Sequence, residues 1–290
     1  MRKILRNIAF ICLILSAVPM RAQQEETPEK ETVIIDYFSR AREVPGPYME
    51  ALRARVIEGF VNRGRHRVVD AQTIADLRDA GCGMVSSPSA IINSQRDAER
   101  RRADAIRSLG ARYVVAGAIT SCSFKREKVG DGNRYTTTAV FILTSYDLLT
   151  GESSAPEEFQ ARGSGDSPEK ADREALASIP LKVVYYIDNH FKYQTEILRI
   201  EAPNAKGKYK ELYIRSGASM GVQNGDLFKV YERYEVAGAA GMRLIGKIRA
   251  RQVCGEELTL CTFSNGTDAI VRAFSEGREL VVISDGQALF

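Results

Sequence analysis

Histidine is almost missing from this chain. His66 and His190 are the only two, far apart and without a cysteine or carboxylate at ligand spacing. A zinc site and imidazole acid–base chemistry therefore lose their usual grounds. No phosphate-cradling loop is present: Gly217-Ala218-Ser219-Met220-Gly221 is not followed by a lysine at the needed place. A surplus of charge is lacking as well. The whole sequence is +4, but its first 22 residues hold four cations (Arg2, Lys3, Arg6, Arg21) and no acid. Without them 37 cations face 37 acids, which removes the global electrostatic case for nucleic acid.

The first segment reads as an address. A cationic start is followed by the apolar run Ile8–Val18, too short to span a bilayer comfortably, and then by Arg21-Ala22-Gln23-Gln24. This is the pattern of a secretory signal peptide with cleavage expected after Ala22, although Met20 is bulkier than the usual small residue. An uncleaved anchor is the alternative. Cys12 lies inside the apolar run after Ala9-Phe10-Ile11, without the small residue that lipid attachment wants just before it, and reads as part of the signal.

What remains is ample for a sizeable core. The chain has 290 residues, 44% hydrophobic and 27% charged, which argues against disorder and against a multi-span membrane protein. Residues 23–31 read as a flexible lead-in. Residues 32–193 read as an α/β domain. Val33-Ile34-Ile35 and Val68-Val69 are short strands, and Pro47 opens a helix carrying Met49, Leu52, Val56 and Phe60, stopped by Gly64. A second helix ends at Gly110 with Ala98, Arg102, Ala105, Ile106 and Leu109 on one stripe. Tyr113-Val114-Val115-Ala116 is expected as a central strand, Lys125–Asn133 as a short polar tip, and Tyr135–Leu148 as the returning strand. Glu158–Arg162 reads as an edge strand. Ser167-Pro168 opens a long helix, kinked at Pro180. From residue 194 to 290 short β runs alternate with glycine turns, the texture of a small antiparallel barrel or sandwich. The expected fold class is thus α/β, a helix-covered mixed sheet followed by a small β-barrel or β-sandwich module.

These elements resemble the envelope proteins of the curli-secretion (CsgG-like) superfamily, with the TolB N-terminal domain and FlgT as relatives. The resemblance rests on Val68-Val69-Asp70, Ser108-Leu109-Gly110-Ala111, Tyr113-Val114-Val115-Ala116-Gly117, Tyr146-Asp147-Leu148 and Thr150-Gly151-Glu152. In the second half, the run from Gly221 through Asn224-Gly225-Asp226 to Val230 is similar to the glycine-turn-strand opening of the FlgT-like β module. The resemblance implies an exported, non-enzymatic adaptor or assembly factor working through protein contacts. Two departures stand against a CsgG-type pore: no lipid-acceptor cysteine, and no pair of strands alternating long enough for an outer-membrane barrel.

Candidate sites are few. Arg96, Arg100 and Arg101, with Arg102 and Arg107, form a cationic helix face, but Asp97, Glu99 and Asp104 interleave with them, so a solvated face with intrahelical pairs is the plainer reading. Tyr231 and Tyr234, with Tyr209 and Tyr213, offer an aromatic platform for glycan or peptide, against an ordinary barrel core. Cys254 and Cys261 are the candidate disulfide, and Cys82 with Cys122 a weaker one, against buried reduced thiols. Gly163-Ser164-Gly165-Asp166 and Gly81-Cys82-Gly83 are the nearest approaches to a nucleophile loop, and neither has an activating partner. No catalytic residue, metal or cofactor is expected. The expected partners are other envelope proteins, further copies of this chain included, with cell-wall or surface glycan as the second reading and no nucleic acid.

Overall fold

The structure, a computed structural model, describes residues 30–74, 77 and 100–287. The signal segment, Cys12, Cys82, Arg96, Asp97, Ala98 and Glu99 lie outside the described residues.

Two sheets organise the chain. The first has the order β2-β1-β3-β4-β5, built from β1 (Thr32–Arg40), β2 (Arg67–Asp70), β3 (Ala111–Val129), β4 (Gly132–Asp147) and β5 (Glu157–Gly165). β1 runs parallel to β2 and β3, while β3–β4 and β4–β5 are antiparallel, so the sheet is mixed. The unbroken apolar run Val33-Ile34-Ile35 follows from burial on both faces. Val33 and Ile35 pack with Leu52, Val56 and Phe60 of α1 (Gly46–Arg63), whereas Ile34 packs with Ala105 and Ile106 of α2 (residues 100–108). Helix α1 begins with Pro47 in its first turn and ends on Gly64, whose φ of 69° lets its N–H reach the Phe60 carbonyl.

Three expectations need correction here. Tyr113–Ala116 does lie centrally, between β1 and β4, but Ala116 is exposed; the α2 cover reaches Ala111 and Val114 and stops there. The polar segment Lys125–Asn133 is no loose tip. β3 and β4 pair out to Val129 and Gly132, leaving only Gly130 and Asp131 as the turn. Polarity in this case marks a two-faced exposed ribbon, because β1 accompanies β3 only as far as Ile119. The long helix is two helices, α3 (Pro168–Ala177) and α4 (Ile179–His190), parted at Ser178. Pro180 cannot donate into the preceding turn, so the break falls just before it. Ser167 caps α3 by accepting from the Lys170 N–H at 3.3 Å.

The second sheet is antiparallel throughout, with the order β6-β12-β9-β10-β11-β8-β7. Its strands are β6 (Gln194–Thr195), β7 (Ile197–Ile200), β8 (Glu211–Ile214), β9 (Asp226–Val236), β10 (Ala239–Val253), β11 (Thr259–Asn265) and β12 (Leu280–Gln287). β6 and β7 are neighbours in sequence, separated by Glu196 alone, yet they occupy opposite ends of the sheet order. One stretch of chain therefore seams the two edges together and bends the sheet into a nearly closed barrel. Leu212, Ile214, Phe228, Val230, Ile248, Ala250, Cys261 and Val282 fill it, with Ile270 added from α5 (Thr267–Ser275).

Candidate functional site

The two sheets meet along a seam of buried charge. Arg63, the last residue of α1, is 1% exposed. Its Nε donates to Asp188 Oδ1 of α4 at 2.9 Å, its Nη2 to Asp226 Oδ2 of β9 at 2.9 Å, and its Nη1 to the Gly221 carbonyl at 2.7 Å. Two residues on, Arg65 donates to the same Asp188 oxygen at 3.1 Å and to the Phe191 carbonyl at 3.0 Å. Burial by itself would lower the Arg63 pKa, but Asp226 and Asp188 hold it above the ordinary value; at Arg65 burial and the neighbouring Arg63 win and lower it. The turn Gly221–Asp226, noted in sequence for its glycines, is thus where the barrel takes hold of α1. Asp226 also accepts from the Gln223 N–H at 3.0 Å, which fixes the turn.

Beside this seam lies a cleft of about 360 Å³. Arg65, His66, Arg112, Lys192 and Glu31 supply its polar wall, and Tyr113, Phe191, Tyr193 and Met220 its apolar wall. The rings are interlocked edge to face: His66 and Phe191 have centroids 5.0 Å apart, Tyr113 and Phe191 4.9 Å. Arg65 stacks 5.0 Å from the Tyr193 centroid and Arg112 5.0 Å from that of Tyr113. Arg112 pairs with Glu31 and, at 3.5 Å, with Asp147. Three buried nitrogens on this wall have no hydrogen-bond partner: Arg65 Nε, Arg112 Nε and His66 Nδ1.

Burial, reinforced by Arg65, Arg112, Arg63 and Lys30, pushes the His66 pKa down to about 3. The fold therefore keeps a neutral imidazole, while the unfolded chain takes up a proton below the ordinary value of 6.5. Stability contributed by this group is present above pH 6.5 and is lost as pH falls from there toward 3. Between pH 7 and pH 5.5 the chain is expected to lose about 1 kcal/mol through His66. Urea titrations at both pH values, run beside His66→Phe, check this; the variant should lack that part of the loss.

The residues singled out in sequence do not assemble into a site. Arg100 and Arg101 are exposed on α2, whereas Arg102 turns inward to pair with Asp36 and lie over Tyr37. Arg107 pairs with Asp104. Tyr231 and Tyr234 stand three residues apart on β9 and hence on opposite faces of it. Tyr213 is on β8, with β10 and β11 between it and β9. The barrel-core reading of the tyrosines is also corrected: the interior positions go to Leu212, Phe228 and Val230, and alternation turns Tyr213 and Tyr231 outward.

The disulfide expected between Cys254 and Cys261 is a further correction, because both thiols are free. Cys261 faces Ala250 across the ladder, so it sits well up β10 from Cys254, which is exposed in the turn. Burial pushes the Cys261 thiol up to about 12, and burial with Asp172 pushes Cys122 up to about 11. Ser164 lies within edge strand β5, its hydroxyl 3.3 Å from Thr136 Oγ1. His190 closes α4, as its position suggested, and its Nε2 meets Glu157 at 2.7 Å. No cluster of three or more metal-ligating side chains occurs among the described residues, and no helix there is long and apolar enough to cross a membrane.

No family model and no curated protein matches the chain. Among solved structures it is similar to the lipoprotein GNA1162 from Neisseria meningitidis, 12% identical, over 55% of this chain and 99% of that one, with a TM-score of 0.35. It is similar to the PelC dodecamer from Paraburkholderia phytofirmans, 15% identical, over 55% of this chain and 86% of that one, TM-score 0.30. It is also similar to the LpoB C-terminal domain from Salmonella enterica, 13% identical, over 46% and 82%, TM-score 0.27. Bacterial lipoproteins thus stand among the neighbours, at scores that carry no argument about function.

Proposed function

We propose that the chain is an exported, non-enzymatic protein of the bacterial envelope, a CsgG/TolB-like adaptor that serves assembly or secretion by contacting other proteins. On this reading the first 22 residues are removed on export and the remainder works in the periplasm. One observation carries the proposal. Two β-ribbons reach out from the sheets and present large apolar side chains to solvent: Phe124 and Val129 on β3–β4, Tyr234, Val236, Met242 and Leu244 on β9–β10, all between 44% and 58% exposed except Val236 at 64%. Exposed apolar side chains grouped at projecting tips are what a contact surface needs. The reactive groups supply support of a different kind, since Cys122, Cys261 and His66 are all shifted away from the ionisation that catalysis would use.

The test is site-specific photo-crosslinking in intact bacterial cells, with the photoreactive residue placed at Phe124, at Tyr234 or, for comparison, at exposed Glu169 of α3. Discrete protein adducts from Phe124 or Tyr234 in the envelope fraction, with none from Glu169, are expected, together with a mature chain starting at Gln23. Adducts confined to cytosolic proteins would sink the reading.

A further inference from the structure

The cleft between the sheets is built more elaborately than a structural seam requires. We propose that it binds a small organic monoanion, a carboxylate on an apolar body, whose head is held by Arg65, Arg112 and His66 and whose body lies against Tyr113, Phe191, Tyr193 and Met220. This goes beyond the adaptor reading and does not depend on it.

Three lines converge. The first is the set of unpartnered nitrogens. Arg65 and His66 are 4% and 6% exposed, and buried donors without an acceptor are rare in folded proteins because nothing replaces the water they lose. Arg65 Nε, Arg112 Nε and His66 Nδ1 all have that character, and all three side chains line the same cleft. These atoms are closed off from solvent, so small shifts of the three side chains bring an oxyanion head to the two guanidinium Nε–H groups and, in the appropriate tautomer, to the imidazole N–H.

Charge is the second line. Around the cleft the cations are Arg63, Arg65, Arg112, Lys192, Lys229 and Lys30, and the carboxylates bonded to them or to one another's partners are Asp188, Asp226, Glu31, Asp147 and Asp285. Among the described residues, six positive groups against five negative ones leave a single positive charge. One carboxylate neutralises it; a doubly charged phosphate overshoots. At His66 the cations Arg65, Arg112, Arg63 and Lys30 all act in that same sense.

Shape is the third. A space of about 360 Å³ falls in the range of small-molecule sites, which are mostly apolar with a few converging polar groups. Here the polar groups gather on one wall and the aromatic rings on the other, so the site favours a ligand with one charged end and one apolar end.

Having only two histidines makes the test direct. In the full chain carrying isotope-labelled histidine, the ring signals of His66 and His190 are followed by NMR as hydrocinnamate is added, with hydrocinnamyl alcohol and inorganic phosphate in parallel at constant ionic strength. His190 contacts Glu157 and does not line the cleft, so it serves as the internal reference. The expected result is a saturable shift of His66 alone with hydrocinnamate and none with the alcohol. Arg112→Gln, at a side chain 36% exposed, should weaken that binding about tenfold, with His190 unmoved as the sign that the fold is kept. The proposal is overturned if His66 stays still up to about 10 mM carboxylate, if the neutral alcohol moves it equally, if phosphate does so at lower concentration, or if Arg112→Gln binds as the native chain does.

Discussion

Arg63→Ala is expected to lower the unfolding free energy by about 3–5 kcal/mol, the cost of breaking a buried ion pair from one side. The magnitude comes from what stays behind. Asp226 and Asp188 are themselves buried, and Asp226 Oδ1 already has no partner. Removing the guanidinium leaves Asp226 with the Gln223 N–H and only the more distant charge of Arg65, which also keeps its bond to Asp188. It also frees the Gly221 carbonyl, so the turn leading into β9 loses its hold on α1. Urea unfolding of the variant gives the number. The double variant Arg63→Met, Asp226→Asn should recover part of the loss, because it removes the stranded charge along with the cation. Should the two single changes prove strictly additive, the pair is no coupled seam.

Gly163→Ala is the second large effect, about 3 kcal/mol destabilising. Gly163 sits in β5 where α3 crosses it. A Cβ there would overlap the Ala171 carbonyl oxygen and the Ala175 backbone nitrogen, and would lie 2.8 Å from the Glu174 carbonyl carbon. All three are main-chain atoms of a helix and cannot swing aside; strand and helix must separate. Gly165 is the control. Its Cβ would meet Lys170 Cβ and Cγ at 2.7 and 2.8 Å and the Ala171 nitrogen at 3.0 Å, contacts less close than those at Gly163, so Gly165→Ala should cost less, about 1–2 kcal/mol. Equal midpoints in chemical denaturation for the two variants would show that the close crossing of α3 over β5 is not what constrains residue 163.

The contrast between those glycines also shows where sequence reading stops. In sequence, Gly163 reads as part of the nearest approach to a nucleophile loop, Gly163-Ser164-Gly165-Asp166. Its actual role is packing: an edge strand of small residues lets a helix lie close. Local composition cannot tell a glycine needed for a turn from one needed for proximity. The apolar periodicities fared better. Leu52, Val56 and Phe60 on α1, the strand at Val33-Ile34-Ile35 and the β texture after Tyr193 are all legible, since each reflects a face that must be covered whatever the partner. Helix α5 is hidden in the sequence for an identifiable reason. It is nine residues long, begins after Gly266 at a positive φ of 72° without a capping side chain, and buries only Ile270 and Ala273. So short a stripe is drowned by the strands on either side.

The cleft was hardly legible at all. Its residues come from positions near 31, 65, 112 and 192, and no spacing rule joins them. One local signal existed. Arg63-Gly64-Arg65-His66 puts two arginines and a histidine at a helix end, where the turn draws them inward. The other half of the seam, Asn224-Gly225-Asp226, was visible as a turn, but nothing in it disclosed that the aspartate faces an arginine from a distant helix.

The seam strand sets an order on how the second half of the molecule is made. Gln194–Ile200 leaves the ribosome before the other barrel strands, yet the ladder partner of Thr195 is Val282. Until β12 has been synthesised the barrel stays an open ribbon with an unsealed edge beside Thr195. Closure therefore waits for β12, and any factor that delays that strand prolongs the interval in which the edge is available to other chains.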